Sequence, residues 1–138
     1  LQFNDPKAVY SYAYYDGGGL DSGTFGLGLS PLPGVSPEEA EAALDKVLAD
    51  FLTTGPEPAA FDRIKTQLRA AQVYAKDDVD GLARMYGEAL TTGLTVQDVQ
   101  SWPDALQQVT PDAVMEAARK VLDRRRAVTG WLLTEETQ

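Results

Sequence analysis

The chain has 138 residues, the length of one domain, and its 21 acidic and 12 basic residues give a formal net charge of −9. It contains no Cys and no His, which excludes disulfides, thiol nucleophiles, Ser-His-Asp triads and zinc sites of the usual nitrogen or sulfur type. The acidic balance argues against a nucleic-acid or anionic-membrane partner, and no apolar run reaches the ~18 residues of a membrane span.

A β-hairpin is predicted near the start of the chain. Residues 8–15 are rich in aromatic and β-branched side chains, which is typical of a strand, and residues 16–23 are turn formers. Residues 24–29 alternate strictly, so large apolar side chains share one face of the second strand and glycines the other. The two sets are Phe25, Leu27 and Leu29, and Gly26 and Gly28. A glycine face allows another backbone or a helix to approach closely.

Four or five helices are predicted to follow. The first begins at the cap Ser36, with Glu39 completing a capping box, and ends at Gly55. Further helices are predicted over residues 58–76 and 79–90. After them, Pro103 is expected to interrupt a short helical turn that starts at Thr95, and a last helix starts at Thr110.

Apolar residues recur at helical spacing in these segments, which predicts one buried face for each helix. In the first helix these residues are Ala40, Ala43, Leu44, Val47, Leu48, Phe51 and Leu52. In the second they are Phe61, Ile64, Leu68, Ala71 and Ala75.

A last strand is predicted over residues 127–133, in the same sheet as the hairpin, and residues 134–138 are predicted to fray. The order ββ-αααα(α)-β has too few strands for a doubly wound sheet, so the fold class is α+β, an antiparallel sheet with a layer of helices on one face. Three strands make a thin sheet. We therefore expect residues that would precede Leu1, or another chain, to complete it, because a chain that opens without Met fits a processed or excised piece.

The candidate functional residues are three tyrosines of the first strand, Tyr10, Tyr12 and Tyr14, which share one face. One interpretation is core packing at an amphipathic sheet edge. The other is a binding wall, since tyrosine offers a rigid apolar face and a hydroxyl that suit contact with a peptide. The glycine-rich segment 16–23 is interpreted as a hairpin loop rather than a calcium or phosphate site, and Arg124–Arg126 as a basic turn that complements a helix dipole.

Several segments together resemble the second domain of pitrilysin-type zinc peptidases, a group that includes insulin-degrading enzyme and the mitochondrial processing peptidases. The similar segments are residues 14–17 and 23–26, the capped helix from Ser36, and residues 60–68, 83–90, 110–114 and 125–133. The resemblance extends from residue 8 to residue 133. Residues 60–68, for example, are similar to the helix E-L-E-R-A-K-x-Q-L of that family.

The resemblance implies a metallopeptidase-like domain of the LuxS/MPP type that lacks its N-terminal part and is not catalytic. The catalytic signature of the family, H-x-x-E-H, lies in a different domain, so no cofactor is expected in this chain and zinc only in the catalytic half. The inactive half helps to close a chamber around the peptide and often carries an Arg and a Tyr that contact substrate. Tyr10 is the candidate for that Tyr, and Gln2 or Phe3 stands where the Arg would be.

Two functions follow as expectations. In the first, residues 1–138 form a single, inactive domain that binds peptide together with a catalytic half or subunit, at a periplasmic location implied by bacterial relatives. The alternative is a stand-alone α+β interaction domain that self-associates through its unfinished sheet. An adjacent reading frame that contains H-x-x-E-H would favour the first function.

Overall fold

A computed structural model describes Leu1 and residues 6–133. Two strands, β1 (Ala8–Asp16) and β2 (Thr24–Pro31), form an antiparallel hairpin. Five α-helices and one 3-10 turn follow: α1 (Pro37–Thr54), α2 (Pro58–Ala75), α3 (Val79–Thr91), α4 (Val96–Gln108), α5 (Pro111–Val121) and the turn Arg124–Arg126. The α+β class is thereby confirmed. The predictions for Gln2, Phe3 and residues 134–138 lie outside the described residues.

Local capping signals define where the helices begin. The Ser36 hydroxyl accepts a hydrogen bond from the Glu39 amide (3.2 Å), and the Thr110 hydroxyl accepts one from the Ala113 amide (3.2 Å). Both caps confirm the predicted starts of α1 and α5. The predicted capping box at α1 is only half formed, because the Glu39 carboxylate binds the Lys7 ammonium group at 2.7 Å instead.

Helix α4 corrects the prediction that Pro103 interrupts a short turn. The helix continues through Pro103 and ends at Gln108. A proline removes one backbone donor, but here it does not end the helix. The Lys65 ammonium group of α2 donates to the carbonyls of Gln107 (2.5 Å) and Val109 (3.0 Å), which satisfies the end of α4 and complements its dipole.

The predicted third strand does not form. Residues 127–133 belong to no strand of the described chain, so the expectation that they share the hairpin sheet is wrong. β propensity alone does not make a strand, because the backbone donors and acceptors need a neighbouring strand. Side chains hold this segment instead: Thr129 Oγ1 and Trp131 Nε1 each donate to the Glu41 carboxylate of α1 at 3.1 Å.

The helices leave much of their apolar surface uncovered. Helix α1 packs against β2 and α5, while α4 packs against α2 and α3. Within the described ranges the buried residues are Ala8, Ala40, Ala89 and Met115. The predicted burial of the α2 stripe is wrong, since Ile64 is 53% and Leu68 41% exposed. Periodicity identifies the apolar face of a helix but not whether anything covers it.

Candidate functional site

Tyr10, Tyr12 and Tyr14 form a row of stacked rings along one face of β1, which we call the tyrosine ladder. The ring centroids of Tyr10 and Tyr12 lie 6.2 Å apart, and those of Tyr12 and Tyr14 lie 6.4 Å apart. The successive ring planes are inclined by only 19° and 20°. This arrangement arises because side chains at i, i+2 and i+4 of a strand point to the same face.

Two glycines of β2 lie beneath the ladder. Tyr12 is paired with Gly28 and Tyr14 with Gly26 across the hairpin. A Cβ atom placed on Gly28 would overlap the ring of Tyr12, and one placed on Gly26 would overlap the ring of Tyr14. The glycine face was expected to admit another backbone or a helix, but tyrosine rings of the same sheet lie across these two glycines instead.

The outer side of the ladder is exposed to solvent. Its three side chains are each about half exposed (54%, 53% and 51%), which does not fit the core-packing interpretation. In the part of the chain that the structure describes, no residue hydrogen-bonds their phenol hydroxyls. The ladder therefore presents both apolar ring surface and hydroxyl groups that bond no other described residue.

Helix α1 lies on the opposite face of the sheet. A groove of about 270 Å³ between them is lined by Ser11, Ala13 and Leu27 of the hairpin and by Leu44 and Leu48 of α1, and Tyr12 and Gly28 also border it. The residues of β1 that alternate with the ladder thus face the helix. The core side and the ladder side of this two-stranded sheet are therefore distinct.

The size of the ladder limits what it can bind. A tyrosine side chain offers about 200 Å² of surface, so three half-exposed rings present about 300 Å². A stable protein–protein interface buries about 800 Å² on each partner. The ladder alone is therefore the size of a site for a short extended segment.

A second polar cluster joins the end of the described chain to α1, and no local sequence signal predicts it. Arg124 forms an ion pair with Asp45 (2.6 Å) and lies 3.9 Å from the Glu41 carboxylate. That carboxylate also accepts the hydrogen bonds from Thr129 and Trp131. These contacts join residues 79 to 90 positions apart in sequence, which is why spacing alone does not reveal them. The basic turn thus pairs with carboxylates rather than acting only on a helix dipole.

The next arginine of the turn pairs locally. Arg125 binds Asp123 through two side-chain hydrogen bonds of 3.0 and 2.8 Å. This contact lowers the pKa of Asp123 and raises that of Arg125, because the charged forms of both groups are stabilised together.

The donor atoms of the chain do not fit the zinc site of a peptidase. The sequence contains no imidazole and no thiol. Across the described residues no three Asp or Glu side chains converge as metal ligands. Carboxylates alone favour calcium or magnesium over zinc.

None of the helices within the described ranges is long and apolar enough to cross a membrane. No protein-family model and no curated protein sequence matches this chain.

Proposed function

We propose that this chain is a non-catalytic peptide-binding domain that helps to enclose substrate for a zinc-peptidase half carrying H-x-x-E-H. The observation that carries the proposal is the tyrosine ladder, which is half exposed on the face of the sheet opposite α1. The absence of His and Cys from the sequence supports a non-catalytic role. The resemblance to pitrilysin-type peptidases supports the choice of partner and a periplasmic location.

The spacing of the rings suits an extended peptide. Alternate side chains of an extended chain repeat every ~6.6 Å, close to the 6.2 and 6.4 Å between ring centroids. Successive side chains on one face of the peptide can therefore each lie over one ring. Because every ring offers the same apolar surface, the ladder selects extended shape rather than a particular residue. The net charge of −9 favours basic peptides.

Binding of this kind is weak. Burial of about 300 Å² at about 25 cal/mol per Å² contributes about 7 kcal/mol, from which association costs of at least about 4 kcal/mol are subtracted. The remaining free energy corresponds to a dissociation constant in the millimolar range. Weak, reversible contact suits a surface that holds a substrate while a partner cleaves it.

A titration with a defined peptide tests the binding site. The probe is an amidated Lys-Val repeat of about ten residues, long enough to span the three rings, and its control is a Lys-Gly repeat of equal charge. Amide chemical shifts of the protein should titrate with the Lys-Val repeat and much less with the Lys-Gly repeat. Tyr12→Ser should weaken binding severalfold, whereas Tyr12→Phe, which keeps the ring, should preserve most of it.

Tyr15 provides the matched control within the same strand. It lies on the opposite face from the ladder, where it pairs with Phe25, and it is 71% exposed. Tyr15→Ser therefore removes a ring that is more exposed than that of Tyr12 and lies outside the ladder. Equal loss of binding in Tyr12→Ser and Tyr15→Ser would contradict a ladder-specific site.

The partner in this proposal is tested separately. An open reading frame next to the gene should encode an H-x-x-E-H protein. That protein should cleave a quenched fluorescent peptide faster when this chain is added. If the chain binds the Lys-Val repeat at the ladder but no such partner exists, the peptide-binding role stands and the peptidase role is withdrawn.

Self-association is the second candidate, and the amount of exposed surface favours it. The accessible surface of the chain is 11141 Å², whereas a folded monomer of 14.9 kDa exposes about 7000 Å². Much of the excess is apolar, including Ile64 and Tyr74 of α2 and Trp102 of α4. Uncovered apolar area on this scale is typical of a chain that buries part of it against a partner.

A further inference from the structure

We infer that Asp16 extends the tyrosine ladder by a fourth subsite, which takes a basic side chain of a bound peptide and fixes where the peptide lies. This role rests on the proposed function of the ladder as a peptide-binding site, and it names the residue that selects among peptides. The three rings alone do not fix the position of a peptide, because each offers the same apolar surface to an extended chain.

Asp16 continues the face of β1 that carries the ladder. The hairpin register runs without a bulge from the pair Tyr10–Ser30 to the pair Asp16–Thr24. Since alternate residues of a strand share a face, Asp16 follows Tyr14 on the ladder face by one two-residue step. That step is ~6.6 Å along the strand, close to the 6.2 and 6.4 Å between successive ring centroids. The carboxylate thus continues the spacing of the rings.

Asp16 is the one charged residue of the two strands. The remaining residues of Ala8–Asp16 and Thr24–Pro31 are apolar, hydroxyl-bearing or glycine. The Asp16 side chain is exposed, and within the described ranges no ammonium or guanidinium group pairs with its carboxylate. A carboxylate with no such partner at the end of the row of rings is complementary to a lysine or arginine side chain of a ligand.

A peptide that fits both features alternates apolar residues and ends the alternation with a basic one. When three apolar side chains lie over the three rings, the next side chain on the same face of an extended peptide lies over Asp16. This holds for either chain direction of the peptide. The ammonium group of a lysine there reaches the carboxylate, while its aliphatic stem covers part of the Tyr14 ring. The selected peptide has the facing pattern apolar, apolar, apolar, basic.

The contribution of this contact is small but measurable. An exposed ion pair changes an equilibrium constant by up to about fivefold, and salt screens it. We therefore expect a preference of about threefold for a peptide with the basic residue at low ionic strength. A difference of that size is resolved by titration in the millimolar range expected for the ladder.

Two capped peptides of equal length test the subsite. The Lys peptide is acetyl-Val-Thr-Val-Thr-Val-Thr-Lys-amide, and the Gln peptide carries Gln in place of Lys. Both should shift the ring signals of the ladder tyrosines, and the Lys peptide should bind the wild type about threefold more tightly. The preference should disappear in Asp16→Asn, a change of nearly equal shape at an exposed position. In about 0.5 M salt it should also fall towards equality.

A third peptide tests the position of the base at constant composition and charge. Acetyl-Val-Thr-Lys-Thr-Val-Thr-Val-amide carries its lysine inside the row of apolar side chains. If that lysine lies over Asp16, only two apolar side chains remain over the rings, and Tyr10 is left uncovered. This peptide should therefore bind more weakly than the Lys peptide. Equal binding of the two would show that only net charge matters and would overturn the subsite.

Matched variants separate the subsite from the overall charge of the chain. Asp104→Asn removes the same charge from an exposed position in α4 and should keep the preference for the Lys peptide. Asp16→Lys should reverse the preference, so that a peptide ending in Glu binds more tightly than the Lys peptide. In the wild type, the side-chain carboxyl carbon of Asp16 should shift with the Lys peptide and much less with the Gln peptide.

The outcomes distinguish the subsite from the peptide-binding function. A preference for the Lys peptide that depends on Asp16 and not on Asp104 supports the subsite. Equal binding of the Lys and Gln peptides at the ladder, or an equal loss of preference in Asp104→Asn, overturns the subsite and leaves the proposed function intact. If neither peptide shifts the ladder signals, the peptide-binding function fails together with the subsite.

Discussion

Gly28→Ala probes the contact on which the tyrosine ladder depends. Gly28 pairs with Tyr12, and an added Cβ atom would overlap the Tyr12 ring. The ring must therefore leave the glycine backbone. That movement breaks the row of stacked rings at its centre, because Tyr12 is the tyrosine that contacts both of the others.

We expect Gly28→Ala to destabilise the chain, whereas the ordinary conformational preferences of glycine and alanine predict stabilisation. Replacing a strand glycine by alanine normally stabilises a protein by about 0.5–1 kcal/mol. A Tyr12 ring that leaves the glycine exposes roughly the half of its ~200 Å² that is now covered, which costs about 2.5 kcal/mol at about 25 cal/mol per Å². We therefore expect the free energy of unfolding to fall by about 1–2 kcal/mol.

Urea unfolding followed by circular dichroism measures this change, and two variants control it. Gly87→Ala lies in α3 with nothing within 4 Å of the added Cβ, and it should stabilise the chain by up to about 1 kcal/mol. In a Tyr12→Ala background, Gly28→Ala should lose its destabilising effect. The double-mutant cycle then gives a coupling energy of about 1–2 kcal/mol. A stabilising Gly28→Ala, or zero coupling, would refute the placement of Tyr12 on Gly28.

Three further predictions concern other parts of the molecule. The purified chain should retain no zinc after dialysis and cleave no quenched fluorescent peptide, because it has neither imidazole nor thiolate ligands; stoichiometric zinc with chelator-sensitive cleavage would contradict this. The hydroxyl and amide of Thr95 donate to the Asp98 carboxylate and lower its pKa from the ordinary value of 3.8. The ionised cap therefore stabilises α4 fully above pH 3.8, and this stabilisation is lost as the pH falls through the lower pKa of the folded state. In a carbon-13 titration Thr95→Val should move the pKa of Asp98 back towards 3.8, and an unchanged pKa would count against the cap. Glu41→Ala should remove the hydrogen bonds from Thr129 and Trp131, lower the free energy of unfolding by about 1–2 kcal/mol and increase quenching of Trp131 by acrylamide, whereas Glu41→Gln should retain part of the anchoring.

Features that depend on neighbours in sequence were predictable. The hairpin follows from alternation and turn residues, and the starts of α1 and α5 follow from Ser36 and Thr110. The shared face of the ladder follows from the two-residue period of a strand. Each of these features is encoded within a few residues.

Features that depend on distant residues were not predictable from local pattern. Helix α4 passes Pro103 with its end bound by Lys65, about 42 residues earlier in the chain. The residues predicted as a third strand are held by Glu41, 88 and 90 positions from Thr129 and Trp131. Spacing and propensity carry no information about such partners.

The ring resonances of the six tyrosines test the central claim most directly. In a sample labelled at tyrosine, addition of the Lys-Val repeat should shift the ring signals of Tyr10, Tyr12 and Tyr14. The signals of Tyr74 and Tyr86, which lie in α2 and α3, should stay in place. Shifts confined to the three ladder tyrosines would support peptide binding at this face of the sheet. Unchanged ladder signals at a saturating peptide concentration, or larger shifts at Tyr74, would contradict it.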